Sequence, residues 1–177
     1  NTWLKNLLSA IYDLPMADLP PQPDTSALAR LGHRWVGHEH YPPSETLLRW
    51  AESDSIFLVT TVRHPADTLL SLMNYGSTFG HEVHRDGNLD VLLARDFFTI
   101  GPNVTAYIRH RFPCLLKVSA AWMWAGRSFV VRYEDLWNDP IATLQSLTNR
   151  ISPVDVARVE RAVACCRIDV LRHLVGN

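Results

Sequence analysis

The spacing of apolar residues changes along the chain and predicts an alternation of helices and strands. Residues 3–12 have apolar positions at helical spacing, and these are Leu4, Leu7, Leu8 and Ile11. Residues 56–62 are instead a nearly continuous apolar and β-branched run, which is typical of a strand buried on both faces of a parallel sheet. Residues 128–133 have the same character, and residues 34–37 predict a shorter strand.

Proline and capping residues predict where further helices begin. Ser44 is the predicted N-cap of a helix through Ala51. The other predicted helices are 65–75, 89–98, 104–111, 115–124, 140–150 and 152–164. Residues 15–23 are interpreted as a Pro-rich connector, and residues 76–87 as a mobile loop. Strands that alternate with helices in this way predict an α/β domain with a mostly parallel sheet.

Composition restricts the class of protein. The chain has 177 residues, of which 47% are hydrophobic and 20% charged, so we expect residues 1–177 to form a single globular domain. Lys and Arg total 17 against 18 Asp and Glu, which argues against a nucleic-acid partner because such proteins carry a basic surplus. The three cysteines lack the C-x-x-C spacing of a zinc site and favour a reducing, cytoplasmic compartment. No apolar run has the length of a membrane span.

One candidate anion site lies where the strand at 56–62 ends. Arg63 follows this strand, and Ser71 lies six residues beyond Pro65, about 9 Å along the next helix. Ligands of open α/β sheets bind outside the carboxyl ends of the strands, and an Arg fork with a Ser hydroxyl suits a phosphate. The spacing alone fits equally well an Arg63 that pairs with a carboxylate and a Ser71 that is merely a small helix residue.

A second candidate anion site is the opening of the first helix, at Asn1, Thr2 and Trp3. Helix N-termini offer free N–H groups and a partial positive charge to phosphates, and the Thr2 hydroxyl adds a donor. A Thr that only caps its helix is far commoner than one that binds phosphate, so this pattern is weak by itself.

Three motifs together resemble the family of sulfotransferases that use 3′-phosphoadenosine 5′-phosphosulfate (PAPS). Residues 63–71 (Arg-His-Pro-Ala-Asp-Thr-Leu-Leu-Ser) are similar to the family pattern R-x-P-x-D-x-x-x-S. Residues 133–136 (Tyr-Glu-Asp-Leu), with Pro140 shortly after, are similar to its Y-E-D-L motif. Residues 1–3 are similar to the end of its phosphate loop, P-K-S-G-T-T-W. The resemblance implies a P-loop NTPase-like fold, in which helices flank a parallel sheet.

The resemblance implies which residues contact PAPS, the co-substrate. Thr2 and the amides of Asn1 and Trp3 would hold the 5′-phosphosulfate. The Trp3 ring would lie against the adenine, and Tyr133 would contact the adenine as well. A core aromatic at the end of a strand is the alternative interpretation of Tyr133.

The 3′-phosphate distinguishes PAPS from ATP, and the resemblance assigns it to a clamp formed by Arg63 and Ser71. For Glu134 and Asp135 we favour structural roles instead, as acceptors of loop hydrogen bonds or as helix caps.

The family's catalytic base is the His of a K-T-H-x-P segment. Residues 38–42 (His-Glu-His-Tyr-Pro) occupy its place, which implies that His40 is the base. A neutral imidazole can take the proton of an acceptor hydroxyl at neutral pH. His38 stands where the family has Lys, which departs from the pattern. A metal-binding pair of His38 and His40 is the weaker interpretation because no third ligand has suggestive spacing, and no metal is expected.

The resemblance also implies that both ends of the family's domain lie outside this sequence. The phosphate-loop Lys would precede Asn1, and a late R-K-G segment would follow Asn177. Residues 166–168 (Cys-Arg-Ile) stand where the family has T-S-F. We expect the strand before the phosphate loop to lie near the centre of the sheet, and its loss to lower stability.

Two other functions remain open. A P-loop nucleotide kinase would have a Lys directly before its Ser or Thr, where this chain has Asn1. A noncatalytic nucleotide-binding relative would explain His38 and residues 166–168. The sequence does not identify the acceptor, a hydroxyl or amine of a small molecule, carbohydrate or lipid, nor the oligomeric state. A Golgi location would require a membrane anchor upstream of Asn1.

Overall fold

The computed structural model describes residues 2–20, 22–32, 34–79 and 102–167. Its helices are α1 (Thr2–Tyr12), α2 (Thr25–Leu28), α3 (Glu45–Ser53), α4 (Pro65–Phe79), α5 (Pro102–His110), α6 (Phe112–Ala125), α7 (Tyr133–Asn138), α8 (Pro140–Ile151) and α9 (Val156–Cys165), with a 3-10 turn at Ala29–Leu31. Its strands are β1 (Met16–Ala17), β2 (Val36–Gly37), β3 (Val59–Val62) and β4 (Phe129–Arg132).

The strands form two small parallel sheets. β1 pairs with β2, and Met16 lies opposite Val36. β3 pairs with β4 in a register that places Val59 opposite Phe129. Parallel neighbours need a long crossover connection, and α4, α5 and α6 all lie between β3 and β4 in sequence. The prediction of an α/β fold with parallel strands is confirmed at this level.

The main apolar core joins the first helix to the C-terminal helices. Leu7 and Ile11 are fully buried, four residues apart on one face of α1. Burial of such side chains contributes about 1.5–3 kcal/mol each. The buried residues of this core are Trp3, Leu4, Leu7, Leu8, Ile11, Val131, Leu136, Leu144, Leu147, Val159 and Ala162. The position of α1 is therefore set by packing against α7, α8, α9 and β4.

Helices cover both faces of the β3–β4 sheet. Val59 packs against the core that contains α1. The preceding residue, Leu58, packs instead against a cluster that contains Leu47 of α3 and Trp122 of α6. Successive strand residues point to opposite faces, so α1 lies on one side of the sheet and α3 with α6 on the other.

A cavity of about 540 Å³ lies between the two sheets. One wall is formed by β2 and its neighbours, residues 34–41, and the other by β3 and its neighbours, residues 54–61. Leu8 of α1 and Trp122 of α6 contribute to the lining. The space between β2 and β3 is thus bordered by α1 and by α6 as well as by the two strands.

Several predicted helix starts are confirmed by their caps. The Ser44 hydroxyl accepts a hydrogen bond from the Leu47 N–H at 3.2 Å. The Asp139 carboxylate accepts one from the Ala142 N–H at 3.0 Å, directly before Pro140. None of the helices within the described ranges is long and apolar enough to cross a membrane.

Some predicted boundaries are wrong, each for a tertiary reason. β1 lies inside the segment interpreted as a connector, because the Val36 N–H donates to the Pro15 carbonyl at 3.0 Å and aligns the two chains. The last predicted helix begins at Val156, after the N-cap Asp155, and not at residue 152. The segment at 133–138, for which no helix was predicted, forms α7.

The second predicted strand and the predicted loop also differ from expectation. β3 begins at Val59, and of its residues only Thr60 is buried. Among the described strands it pairs with β4 alone, and it borders the cavity. α4 continues to Phe79, so residues 76–79 are helical. The remainder of the predicted loop, 80–87, and the predicted helix 89–98 lie outside the described residues.

Candidate functional site

Arg63 directly follows β3, at the carboxyl end of the sheet. Its guanidinium carbon is 4.3 Å from the centroid of the Tyr133 ring, which is cation–π geometry. Tyr133 directly follows β4, so the pairing of β3 with β4 brings these two residues together. Arg63 Nε is buried and has no hydrogen-bond partner among the described residues. Within this part of the chain, at least one donor of the guanidinium is therefore unpaired.

Three aromatic side chains form a cluster beside Arg63. The Tyr133 ring stacks with Trp137 at a centroid distance of 6.4 Å. Trp3 meets both rings edge to face, at 6.1 Å from Tyr133 and 6.0 Å from Trp137. Trp137 is 53% exposed, whereas Trp3 is only 9% exposed. Trp137 therefore offers more ring surface to a ligand than Trp3 does.

Trp3 has a clear structural role. Its Nε1–H donates to the Cys166 carbonyl at 2.9 Å, which ties the start of α1 to the end of α9. Thr2 is the first residue of α1 and is exposed, and the first turn of α1 contains no acidic residue. Asn1 lies outside the described residues. The predicted contacts of these three residues with a phosphosulfate stay predictions.

Glu134 holds the turn that carries Arg63. Its Oε1 accepts a hydrogen bond from the His64 N–H at 2.9 Å. This hydrogen bond is the main reason that the pKa of Glu134 is lowered, and the positive charges of Arg132 and Arg63 act in the same direction. Within the turn, the Thr68 hydroxyl donates to the His64 carbonyl at 3.1 Å. The expected structural role of Glu134 is consistent with this contact.

Ser71 is exposed on α4. Leu69, Leu72 and Met73 of the same helix pack against the small core formed by Tyr107 and Phe112. At 100° per residue, Ser71 lies on the opposite side of α4 from this packed face. No hydrogen bond joins Ser71 to Arg63, so a joint grip on one phosphate stays a prediction.

His38 and His40 follow β2, and their ring centroids are 5.0 Å apart. Burial lowers the pKa of His38 to about 3. Desolvation also lowers the pKa of His40. Both imidazoles are therefore neutral at pH 7, which is the state that a general base requires. Both residues line the 540 Å³ cavity between β2 and β3.

The structure brings together only part of the predicted site. Arg63, Tyr133 and Trp3 form one cluster. Within the described part of the chain, neither Ser71 nor His40 has a hydrogen bond or ring contact with Arg63 or Tyr133. Neither the 540 Å³ cavity nor a second cavity of about 420 Å³ is lined by Arg63, Ser71 or Tyr133. The cluster thus lies at the carboxyl ends of β3 and β4, apart from these two cavities.

The sequence analysis did not predict Trp137 as a site residue. It lies four residues after Tyr133, the spacing that places two side chains on one face of a helix. That signal could have been used only if residues 133–138 had been predicted as a helix.

Comparison with known proteins adds nothing to this geometry, since the sequence matches no family model and no curated protein. Among the described residues, no group of three or more His, Cys, Asp and Glu side chains is arranged to hold a metal ion. The assignment of a function therefore depends on the motifs and on the geometry of the site.

Proposed function

We propose that this protein is a sulfotransferase that binds PAPS at the carboxyl ends of β3 and β4, within a P-loop NTPase-like domain. The observation that carries the proposal is the placement of Arg63, which lies against Tyr133 and has a buried N–H with no partner among the described residues. An unpaired buried donor is costly in the free protein. An anionic ligand that accepts from it removes this cost.

The surroundings of Arg63 suit a nucleotide with a phosphate on its ribose. Guanidinium groups bind phosphates through a planar fork of N–H donors. Tyr133 and Trp137 lie next to this fork and offer aromatic surface for a base. The carboxyl edge of parallel strands is also where open α/β sheets bind ligands. The motif at residues 63–71 assigns the phosphate to the 3′ position.

The proposed transfer requires no metal and no covalent enzyme intermediate. His40 takes the proton of the acceptor hydroxyl while the acceptor oxygen attacks sulfur. A new S–O bond forms, the bond between sulfur and the 5′-phosphate oxygen breaks, and 3′-phosphoadenosine 5′-phosphate (PAP) leaves with the electron pair. The lowered pKa of His40 keeps it ready to accept the proton at neutral pH. The amino end of α1 would face the anionic phosphates.

Nucleotide titrations test the binding part of the proposal. We expect PAP to bind at least tenfold more tightly than AMP, which lacks the 3′-phosphate. Arg63→Met should remove this preference, because hydrogen bonds to charged groups contribute about 1.5–3 kcal/mol, or roughly 10–100-fold in affinity. Arg132→Met is the matched control, since Arg132 is exposed at the end of the neighbouring strand. Equal affinities for PAP and AMP, or equal effects of both substitutions, would contradict the proposal.

Transfer of a radiolabelled sulfuryl group from PAPS to a panel of acceptors tests the catalytic part. We expect His40→Ala to abolish transfer and to leave the affinity for PAP within about twofold. Loss of transfer and PAP binding together would show that His40 supports the nucleotide site and is not the base.

A further inference from the structure

Two adjacent cysteines end α9. Cys165 is the last residue of the helix and is exposed to solvent, whereas Cys166 is the C-cap and is half-buried. Cys114, the remaining cysteine of the chain, is exposed on α6 and has no neighbouring cysteine in the sequence. All three thiols are free. Two adjacent thiols can bond to the same atom, which distinguishes the pair at the end of α9 from Cys114.

Contacts with α1 and α9 hold Cys166 in place. Its thiol donates a weak hydrogen bond to the Asn6 carbonyl, with 3.7 Å between sulfur and oxygen. Its carbonyl accepts from the Nε1–H of Trp3 at 2.9 Å. Its own N–H donates to the Ala162 carbonyl at 2.9 Å, and its side chain packs against the main apolar core. A displacement of Cys166 therefore acts directly on Trp3 and on the start of α1.

The two sulfurs interact but do not face the same way. Burial raises the pKa of the Cys166 thiol, and the negative charge of a Cys165 thiolate raises it further, so the two groups are within electrostatic range. Successive side chains of a helix lie about 100° apart and do not face each other. To reach one atom, both sulfurs must turn toward each other, and this turn moves Cys166 away from Asn6 and Trp3.

A direct disulfide fits this pair poorly. The Cα atoms of adjacent residues are about 3.8 Å apart, whereas those of disulfide-linked residues are usually about 4.4–6.8 Å apart. An atom placed between the sulfurs makes the link longer and relieves this strain. Thiolates are soft ligands, and they prefer soft, thiophilic partners. Trivalent arsenic has this character and forms bonds with two thiols at once.

We propose that Cys165 and Cys166 form a binding site for trivalent arsenic compounds, and that occupation of this site releases Trp3 from the end of α9. With phenylarsine oxide, each thiol loses its proton and forms one As–S bond. The arsenic–oxygen bond breaks, the oxygen leaves as water with both protons, and no atom is oxidised or reduced. The exposed Cys165 reacts first, and the second bond is then intramolecular, which favours closure of the ring.

Mass spectrometry after treatment with phenylarsine oxide tests the site. The treated protein is washed with excess 2-mercaptoethanol, a monothiol, which removes arsenic that is held by one sulfur only. We expect the unsubstituted protein and Cys114→Ser to retain one phenylarsenic group per chain, and Cys165→Ser and Cys166→Ser to retain at least tenfold less. Retention by Cys165→Ser, loss from Cys114→Ser or no adduct on the unsubstituted protein would overturn the proposal. If Cys166→Ser does not fold, Cys165→Ser decides alone, because Cys165 is exposed.

Tryptophan fluorescence tests the release of Trp3. We expect the arsenic adduct to change the fluorescence of the unsubstituted protein, and the change to be at least twofold smaller in Trp3→Phe. An equal change in both proteins would overturn the release. Because Trp3 contacts Tyr133, the adduct should also weaken PAP binding at least threefold, an expectation that rests on the proposed function. A failure of the untreated protein to bind PAP would contradict the proposed function alone, since the mass and fluorescence measurements use no nucleotide.

Discussion

Replacement of Glu134 tests whether the contact between α7 and the turn after β3 positions Arg63. Glu134→Ala removes the acceptor of the His64 N–H, a solvent-exposed hydrogen bond of 2.9 Å. A typical hydrogen bond contributes about 0.5–1.5 kcal/mol, and because water screens this one we expect a loss of about 0.5–1 kcal/mol. In a domain of this size, that loss lowers the melting temperature by about 1–4 °C. Glu134→Gln keeps an acceptor oxygen, so its effect should be about half as large.

The same substitution should weaken nucleotide binding although Glu134 is not proposed to touch the nucleotide. A turn that is no longer held by α7 places the Arg63 guanidinium less well, so we expect the affinity for PAP to fall about three- to tenfold. Urea unfolding gives the stability, and titration of PAP gives the affinity. Glu45→Ala is the control, because Glu45 pairs with Arg49 at 3.5 Å on an exposed helix surface, where such pairs contribute only about 0.2–0.5 kcal/mol.

The pH dependence gives this prediction a specific signature. The pKa of Glu134 is lowered on folding, so the unfolded chain binds the proton more tightly. The stabilisation is therefore complete above the ordinary glutamate pKa of 4.5 and is lost as the pH falls below it. Glu134→Gln should flatten the loss of stability in this acid range. A Glu134→Ala protein with the stability and PAP affinity of the unsubstituted protein would refute the positioning role.

Three further predictions concern stability. Trp3→Phe removes the hydrogen bond to the Cys166 carbonyl and should lower the free energy of unfolding by about 1–2 kcal/mol in urea titrations; an unchanged midpoint would contradict the assigned tie between α1 and α9. Asp139→Ala removes the side chain that accepts from the Ala142 N–H and should lower the free energy of unfolding by about 1 kcal/mol in the same assay. Asp139→Asn should retain most of this stabilisation, because the Asn side chain can also cap the helix. Burial lowers the pKa of His38 to about 3, so the free energy of unfolding should fall as the pH drops below about 6.5. Calorimetry at pH 7.5 and 5.5 should show a smaller fall for His38→Gln than for the unsubstituted protein. An equal fall in both proteins would contradict the lowered pKa.

The local sequence was sufficient for the elements whose signals lie within one helical turn or one strand. The spacing of Leu4, Leu7, Leu8 and Ile11 predicted α1 because the helical period places these side chains on one face. Ser44 predicted the start of α3, since a capping side chain bonds to an N–H only two or three residues away. The β-branched runs that contain β3 and β4 were predicted for the same local reason. For the site, the sequence placed Arg63 at a strand end.

Tertiary structure decided which of these elements meet. No local pattern distinguishes Met16–Ala17 from a connector, and only pairing with β2 makes it a strand. The contact of Arg63 with Tyr133 depends on the register of β3 against β4, and the burial of Trp3 depends on α9, at the other end of the chain. The space between β2 and β3 likewise exists only once two sheets and their covering helices are assembled. Such features arise from contacts between distant segments, for which the spacing of neighbouring residues contains no information.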